Sequence, residues 1–549
     1  MSDDQHRERL DSWKAIANYL GKSVRTARRW EAEEELPVHR QMHKAQGSVY
    51  AYAAEIDEWR RRREHRSAAP DTAFEVRSPP AASTTPAHSV VVLPFAYLGR
   101  DQASAYIGDG FTEEIITALS RLQPLRVISW TSSMTLRDSG KSAGTIGREL
   151  NVGQLVEGTV RHEGDRIRVT ARLVDTSIDE PAWSHSYEGN LDELFAIQEH
   201  IAREVVESMD LRLPASLGDR LSQQPAADVE AWQYLVRARH AALRWRKDAI
   251  DEAVALLHRG IAVAGEDARL YTALGRTHLH YREAGIDLGE APLREAESNL
   301  HKAFALEPEL AAGQQLQGWL HYSRGEIEPA VAALKAALES EPADPDTLSL
   351  LANCYLISGR VAEARPLIDH VLSIDPLTPL TRCMPGWADA LEGNFEAAIR
   401  PYREMFEMDP DNPMARLFYV YVLASADRGH EALEVAEATP AAILETPPGR
   451  VIATFAAAVA GREPITLADT DRQALAQATD VFPRFLAQAY ALAGDTASAV
   501  DWIKVAVEKG FINYPFLARH DPFLAPLAGD PAYDRILADA RRRWEAFPA

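Results

Sequence analysis

Cysteine is nearly absent from this 549-residue chain, which has only Cys354 and Cys383. Two cysteines build neither a disulfide framework nor a cysteine-rich zinc site, and they suit a reducing compartment. Long apolar runs are missing too. The longest, Val90–Ala96 and Val451–Ala460, fall well below the ~20 residues that a membrane-spanning helix needs. The N-terminus, MSDDQHRERLDSWK, lacks the apolar stretch of a secretory signal. These absences read as a cytoplasmic protein that does not enter a membrane. Basic charge is in deficit: 59 Lys and Arg face 81 Asp and Glu, a formal charge of −22. That excludes a chain that coats nucleic acid or anionic lipid along its whole length. What is present is a hydrophobic fraction of 46%, enough for real cores, in a length that suits about three or four domains.

The charge is unevenly shared. Residues 1–66 hold 14 basic and 12 acidic residues, so the remainder holds 45 and 69. In the first segment the basic residues cluster: Lys22, Arg25, Arg28 and Arg29, then Arg40 and Lys44, then Arg60–Arg63. A small nucleic-acid-binding head on an acidic body has this asymmetry. Residues 67–88, with four prolines and little apolar content, read as a flexible linker.

Within the head, DSWKAIANYLGKSVRTARRWE (11–31) has two helical patterns. Asp11 or Ser12 can cap the first, whose Trp13, Ile16, Ala17 and Leu20 share a face. Gly21 ends it, and Ser23 can cap a second helix with Val24, Ala27 and Trp30 inward. That leaves Arg25, Thr26, Arg28 and Arg29 outward, suited to guanine edges and phosphates. Two β-prone runs, Leu36–Arg40 and Ser48–Tyr52, flank the loop 41–47, and a third helix is expected over 53–63 with Ile56 and Trp59 inward. The order helix, turn, helix, wing, helix over about 55 residues resembles the MerR and excisionase type of winged helix-turn-helix domain. The resemblance implies double-stranded DNA as partner, with Lys22, Ser23, Arg25, Thr26, Arg28, Arg29, Arg40 and Lys44 as DNA-facing residues. Glu31 and Glu33–Glu35 would repel phosphate and must lie off that surface. His39 and His43 are too few for a metal site.

Residues 89–213 alternate strand and helix signals. VVVLPF (90–95) reads as a buried strand, Phe111–Leu122 as an amphipathic helix, Leu125–Trp130 as a strand and Thr145–Leu150 as a short helix. Gln154–His162 and Arg166–Asp175 form a hairpin, Ala182–Glu188 a further strand, and Leu194–Met209 a closing helix. The stretches VVLPF, YIGDGFTEEIITALSRL, LRVIS, LVEGTVRHEGDRIRVTARLVD and LDELFAIQEHIA resemble the TolB N-terminal-like (FlgO-like) module, which implies a sensing or assembly domain and does not imply catalysis. The residues agree. Glu113 and Glu114 are adjacent and diverge by about 100° on a helix, so they cannot face one substrate. Gly108–Asp109–Gly110 reads as a turn before the helix, with Asp109 capping it. Ser132, Ser133, His162 and His185 lack a nucleophile-elbow pattern. No catalytic, cofactor-binding or metal-binding residue is expected.

The tail repeats. Pro308, Pro342, Pro376 and Pro410 are spaced by 34 residues, as are Ala296, Ala330, Ala364, Ala398 and Ala432. A small residue where helices cross and a proline ending the second helix, at this period, resemble the tetratricopeptide repeat. Weaker units start at Ala231 and Tyr271, and the second carries extra residues near 286–291. Residues 440–470 are irregular, and Leu486, Tyr490, Ala499 and Ala506 restore the pattern before a terminal cap. Tyr402, Met405, Phe406 and Met408 read as core. Such a solenoid offers a concave face to a protein or peptide partner.

The expected architecture is multidomain and mainly α. It comprises a winged helix-turn-helix (1–66), a linker (67–88), an α/β (α+β) module (89–213) and an α-solenoid with a C-terminal cap (225–549). The arrangement resembles CadC-type regulators without their membrane helix. A transcriptional regulator fits these features, and a dimer or higher assembly on a repeated site is expected of a single small head. Two alternatives stand beside it. One is a scaffold whose head does not bind DNA, and the other an enzyme or small-molecule receptor seated in the α/β module.

Overall fold

The computed structural model describes residues 9–20, 36–41, 48–53, 55–56, 88–99, 104–122, 124–164, 166–190, 193–209 and 229–548. The chain divides into two compact units, Met1–Glu75 and Val76–Ala549.

In the first unit, β1 (Arg9–Asp11), α1 (Trp13–Leu20), β2 (His39–Gln41) and β3 (Ser48–Tyr52) surround a small core. The Ser12 hydroxyl accepts from the Ala15 amide at 3.3 Å and so caps α1. Ile16, Leu20, Leu36, Ala51 and Ile56 are buried together. The strand order is β1–β3–β2, both pairs antiparallel. β3 coincides with the second β-prone run, and β2 overlaps the end of the first and runs one residue into the expected loop, to Gln41. β1 was not expected, because three residues are too few to show a period. The second helix, the loop tip at 42–47, most of the third helix with Trp59, and the 67–87 segment lie outside the described residues.

The second unit begins with an α/β layer. Its elements are β4 (Ser89–Val92), β5 (Ala96–Tyr97), α2 (Tyr106–Ser120), β6 (Arg126–Val127), α3 (Trp130–Met134), α4 (Ala143–Leu150), β7 (Gln154–Glu163), β8 (Arg166–Asp175), β9 (Glu180–Asn190) and α5 (Leu194–Ser208). The sheet order is β6–β4–β7–β8–β9, with β5 also on β7. β4 is parallel to β6 and β7, and β7–β8–β9 is an antiparallel meander. One sheet face packs on α2 and α5 around Phe95, Phe111, Ile115, Val169 and Ile201. The other packs on α4 around Val91, Ile146, Leu155 and Val174.

Three local expectations are corrected. α2 starts at Tyr106, so Gly108–Asp109–Gly110 lies inside the helix and Asp109 does not cap it. The glycines serve close packing: a Cβ at Gly108 would strike the Phe95 carbonyl, and one at Gly110 would lie 2.6 Å from Trp232 and Val236. The strand read over 125–130 is only Arg126–Val127, because Ser129 caps α3 by accepting from the Ser132 amide. In the tail, Met408 is exposed, whereas Tyr402 and Met405 are core and Phe406 is half-buried.

The tail consists of helices α6 (Val229–Ala242), α7 (Lys247–Ala264), α8 (Ala268–Glu283), α9 (Ala291–Leu306), α10 (Ala311–Arg324), α11 (Ile327–Ser340), α12 (Pro345–Ile357), α13 (Val361–Ile374), α14 (Pro379–Leu391), α15 (Phe395–Met408), α16 (Pro413–Ser425), α17 (Gly429–Glu437), α18 (Ala441–Leu444), α19 (Pro447–Val459), α20 (Asp469–Gln477), α21 (Val481–Leu492), α22 (Thr496–Glu508) and α23 (Pro531–Ala546). The period-marking Ala296, Ala330, Ala364, Ala398 and Ala432 are all fully buried on second helices of pairs, where a methyl lets the backbones approach. Gly325, Gly359, Gly393, Asp427 and Gly461, again 34 apart, have φ of 80°, 73°, 84°, 59° and 65°. Each follows a first helix or its last turn, where a left-handed residue ends the helix.

Candidate partner-binding surfaces

Of the residues expected to face DNA, Lys22, Ser23, Arg25, Thr26, Arg28, Arg29 and Lys44 lie outside the described residues. Arg40 lies in β2, and its side chain is outside them. Nearby, His39 Nε2 is 2.7 Å from Glu55 Oε2, which gives that imidazole a structural partner.

The α/β layer is fastened to the solenoid at several points. Asp375, 4% exposed, lies just beyond α13. Its carboxylate accepts from the hydroxyls of Ser129, of Ser132 at 2.7 Å, and of Thr378 and Thr381 at 2.9 Å. The Ser129 amide donates to the Ile374 carbonyl at 2.7 Å, and the Leu377 amide donates to the Ser132 hydroxyl at 3.0 Å. Arg126 reaches the Ser373 carbonyl at 2.7 Å. At the other end of α2, Trp232 and Val236 of α6 belong to the α/β core. Asp109 pairs with Arg137 and with His240 Nε2. Burial alone would raise the Asp109 carboxyl, but the hydrogen bonds from His240 and Arg137 hold it below its ordinary value. Arg239 pairs with Glu113 and lies 4.7 Å over the Trp130 ring. Sequence reasoning missed this fastening, since its partners are 126 to 247 residues apart and none forms a local motif.

The solenoid also closes on itself. α21 is buried on every side from Val481 to Ala491. Phe485 packs on Phe418 and Tyr421 of α16 and on Phe455 of α19. The Ile512 amide donates to the Ile357 carbonyl at 3.0 Å, and Asn513 Nδ2 donates to the Leu356 carbonyl at 3.0 Å. Arg360 donates to the carbonyls of Trp544 and Phe547. Positive-φ Gly325, Gly359 and Gly393 abut Lys509, Trp544 and His520 respectively. The terminal segment therefore packs across the turns of three earlier units, where a simple end cap was expected. Polar groups are trapped in the closure. Both carboxylate oxygens of fully buried Asp480 lack a partner among the described residues, as does Arg484 Nε.

The amino-terminal repeats keep a more open first-helix face. Arg276 pairs with Glu283 and lies 4.2 Å over Trp319. His280 packs 5.0 Å from the half-exposed Trp245 ring. Burial, with Arg276 and Arg239 nearby, drives the His280 pKa well below its ordinary value, so the ring is neutral at physiological pH. Gln315 donates to Asp344 at 2.6 Å and to Thr347 at 2.8 Å. Burial and the neighbouring Asp346 push the Asp344 carboxyl up to about 7. This face brings guanidinium, carboxylate and aromatic groups together.

Among known proteins, the tetratricopeptide repeat family profile matches residues 321–380, which spans parts of the pairs α10/α11, α12/α13 and the start of α14. The tail is a tetratricopeptide-type solenoid. A Rhizobium meliloti (strain 1021) protein with the provisional name adenylate cyclase 3 is 34% identical over 185 residues, 34% of this chain and 31% of that protein. The rice U-box domain-containing protein 70 is 26% identical over 162 residues, 29% of this chain and 20% of its own. The chain thus spans a third or less of the length of these curated relatives. Among solved structures, a tetratricopeptide repeat protein from Parabacteroides merdae is 12% identical with a TM-score of 0.30. That match covers 56% of this chain and 99% of that one. A thermophilic repeat protein of Thermus thermophilus is 19% identical with a TM-score of 0.29, covering 35% and 99%. Among the described residues, no group of three His, Cys, Asp or Glu side chains could hold a metal ion, and no helix is long and apolar enough to cross a membrane.

Proposed function

We propose that the chain is a non-catalytic, cytoplasmic transcriptional regulator in which a DNA-binding head is joined to a protein-binding body. The observation that carries the body's part is the tetratricopeptide-type solenoid with the α/β layer fastened to it through Asp375. Ligand or partner binding to either layer would be felt by the other, because the two share buried hydrogen bonds. The TolB-like reading of the α/β layer, as a sensing or assembly module, fits that arrangement. A protein or peptide partner would use the amino-terminal face around Arg276, His280 and Trp319, since α21 fills the space beside the later first helices.

The head's part rests on its clustered basic residues, with Lys22, Ser23, Arg25, Thr26, Arg28, Arg29, Arg40 and Lys44 as the DNA-facing set. A second reading, a scaffold whose head does not touch DNA, draws on Glu31 and Glu33–Glu35 beside those arginines. Selection of duplexes from a random library by the full chain separates the two. Enrichment of a sequence family, lost with Arg25→Ala plus Arg28→Ala, supports the regulator, and no enrichment supports the scaffold. Turnover of ATP to a cyclic nucleotide by the purified chain would overturn the non-catalytic part.

A further inference from the structure

The two edges of the α/β sheet are treated differently. The β6 edge is covered by the solenoid, through the Ser129 amide to Ile374 and Arg126 to Ser373. The β9 edge, Glu180–Asn190, pairs only with β8 among the described residues, and most of its side chains are exposed.

The direction of the free backbone groups follows from the register. Leu93 and Leu98 donate to the carbonyls of Val156 and Val160, so even-numbered residues of β7 turn toward β4 and β5, and odd-numbered ones toward β8. Leu155↔Val174, Glu157↔Arg172 and Thr159↔Thr170 are then the hydrogen-bonded pairs. The odd-numbered residues of β8 therefore face β9, where Leu173↔Trp183, Ala171↔His185, Val169↔Tyr187 and Ile167↔Gly189 are bonded. This leaves Ser184, Ser186 and Glu188 with amide and carbonyl pointing off the edge. Asn190 also points outward, and its amide is taken by Glu193 at 3.0 Å. At the other end, the register shift between Leu173 and Val174 places a bulge at Ala182, and Pro181 has no amide to offer. The open edge is thus a defined stretch, Trp183–Gly189, closed at both ends, and its single charged residue, Glu188, is paired with Arg166 and Arg168 of β8. Long unpaired edges invite pairing with another strand, and charged residues are the usual protection.

We propose that β9 pairs antiparallel with β9 of a second copy of this chain, about a two-fold axis at Ser186. In that register Ser186 faces Ser186 of the partner, and Ser184 faces Glu188, so every outward group meets an outward group. About six backbone hydrogen bonds result. Centring the axis on His185 would bring Glu188 against the bulged Ala182 and lose some of them. The chosen register places no like charges opposite each other. It sets His185 beside Tyr187, a favourable cross-strand arrangement. The partner is a second copy because the stretch is complementary to itself in length and in the direction of its hydrogen-bonding groups. This inference does not depend on DNA binding.

The test is sedimentation of the full chain with two kinds of variant. Ser186→Pro removes one outward amide and leaves the β8 ladder intact, since that amide faces away from β8. Wild type should sediment as a dimer at tens of micromolar. The proline variant should associate at least tenfold more weakly while keeping the far-ultraviolet circular dichroism of wild type. Under mild oxidation Ser186→Cys should trap a disulfide-linked dimer, because its Cα lies about 5.5 Å from its own copy, while Ser184→Cys should not. The native Cys354 and Cys383 are buried and do not compete. A monomeric wild type, an unweakened proline variant, or equal trapping by both cysteine variants overturns the proposal.

Discussion

Replacing Asp480 with asparagine should stabilise the solenoid at neutral pH and leave it unchanged in acid. Asp480 stands immediately before α21, with both carboxylate oxygens buried and unpartnered among the described residues. Burial raises its pKa from the ordinary 3.8 to about 6, with Arg484 pulling the other way. The folded state therefore holds this proton more tightly than the unfolded chain. Stability is fullest below pH ~4, falls as pH rises toward about 6, and is level above that. Each pH unit between those values is worth about 1.4 kcal/mol, so the ionised carboxylate costs the fold about 3 kcal/mol at pH 7.5. The amide of the Asp480→Asn variant keeps the size and polarity of the side chain and removes that cost. Urea denaturation followed by tryptophan fluorescence, run on both proteins from pH 4.5 to 7.5, measures the difference. The gap should open with rising pH to about 3 kcal/mol. A variant that is less stable at pH 7.5, or a gap that does not change with pH, would refute the reasoning.

Other substitutions test the fastening and the turns. Asp375→Ala leaves four hydroxyls without their acceptor and should cost about 2–4 kcal/mol; combined with Ser132→Ala the losses should be less than additive in calorimetry. Gly110→Ala drives a methyl into Trp232 and Val236 and should cost about 1–3 kcal/mol, read as a lower thermal midpoint. Asp427→Gly relieves a left-handed aspartate at φ 59° and should raise stability by about 1 kcal/mol or less, and a loss would show that Asp427 has another role.

The solenoid was legible because its constraint is periodic. A helix crossing that tolerates only a small residue recurs every 34 positions, and the alanines and prolines record it. The α/β hairpin was legible from its alternation, since each strand buries one face. The start of α2 was not, because Gly108 and Gly110 look like turn residues and are in fact helix positions pressed by Phe95 and Trp232, and a sequence does not distinguish those uses of glycine. Asp375 was unreadable for a similar reason. It looks like any aspartate between two repeats, and only the distant Ser129 and Ser132 make it a joint. The self-closure by α21 is half visible in the sequence: its apolar residues fit a repeat, but its all-round burial comes from packing on α16, α19 and Asp521, which no local pattern encodes.

The claim that the head binds DNA is tested most directly by fluorescence anisotropy of a selected duplex titrated with the full chain at several salt concentrations. The logarithm of affinity should fall linearly with the logarithm of salt, with a slope near −0.9 per phosphate contacted, and Arg25→Ala plus Arg28→Ala should weaken binding and flatten the slope. No binding at low salt, or binding that the double variant leaves unaltered, would contradict it.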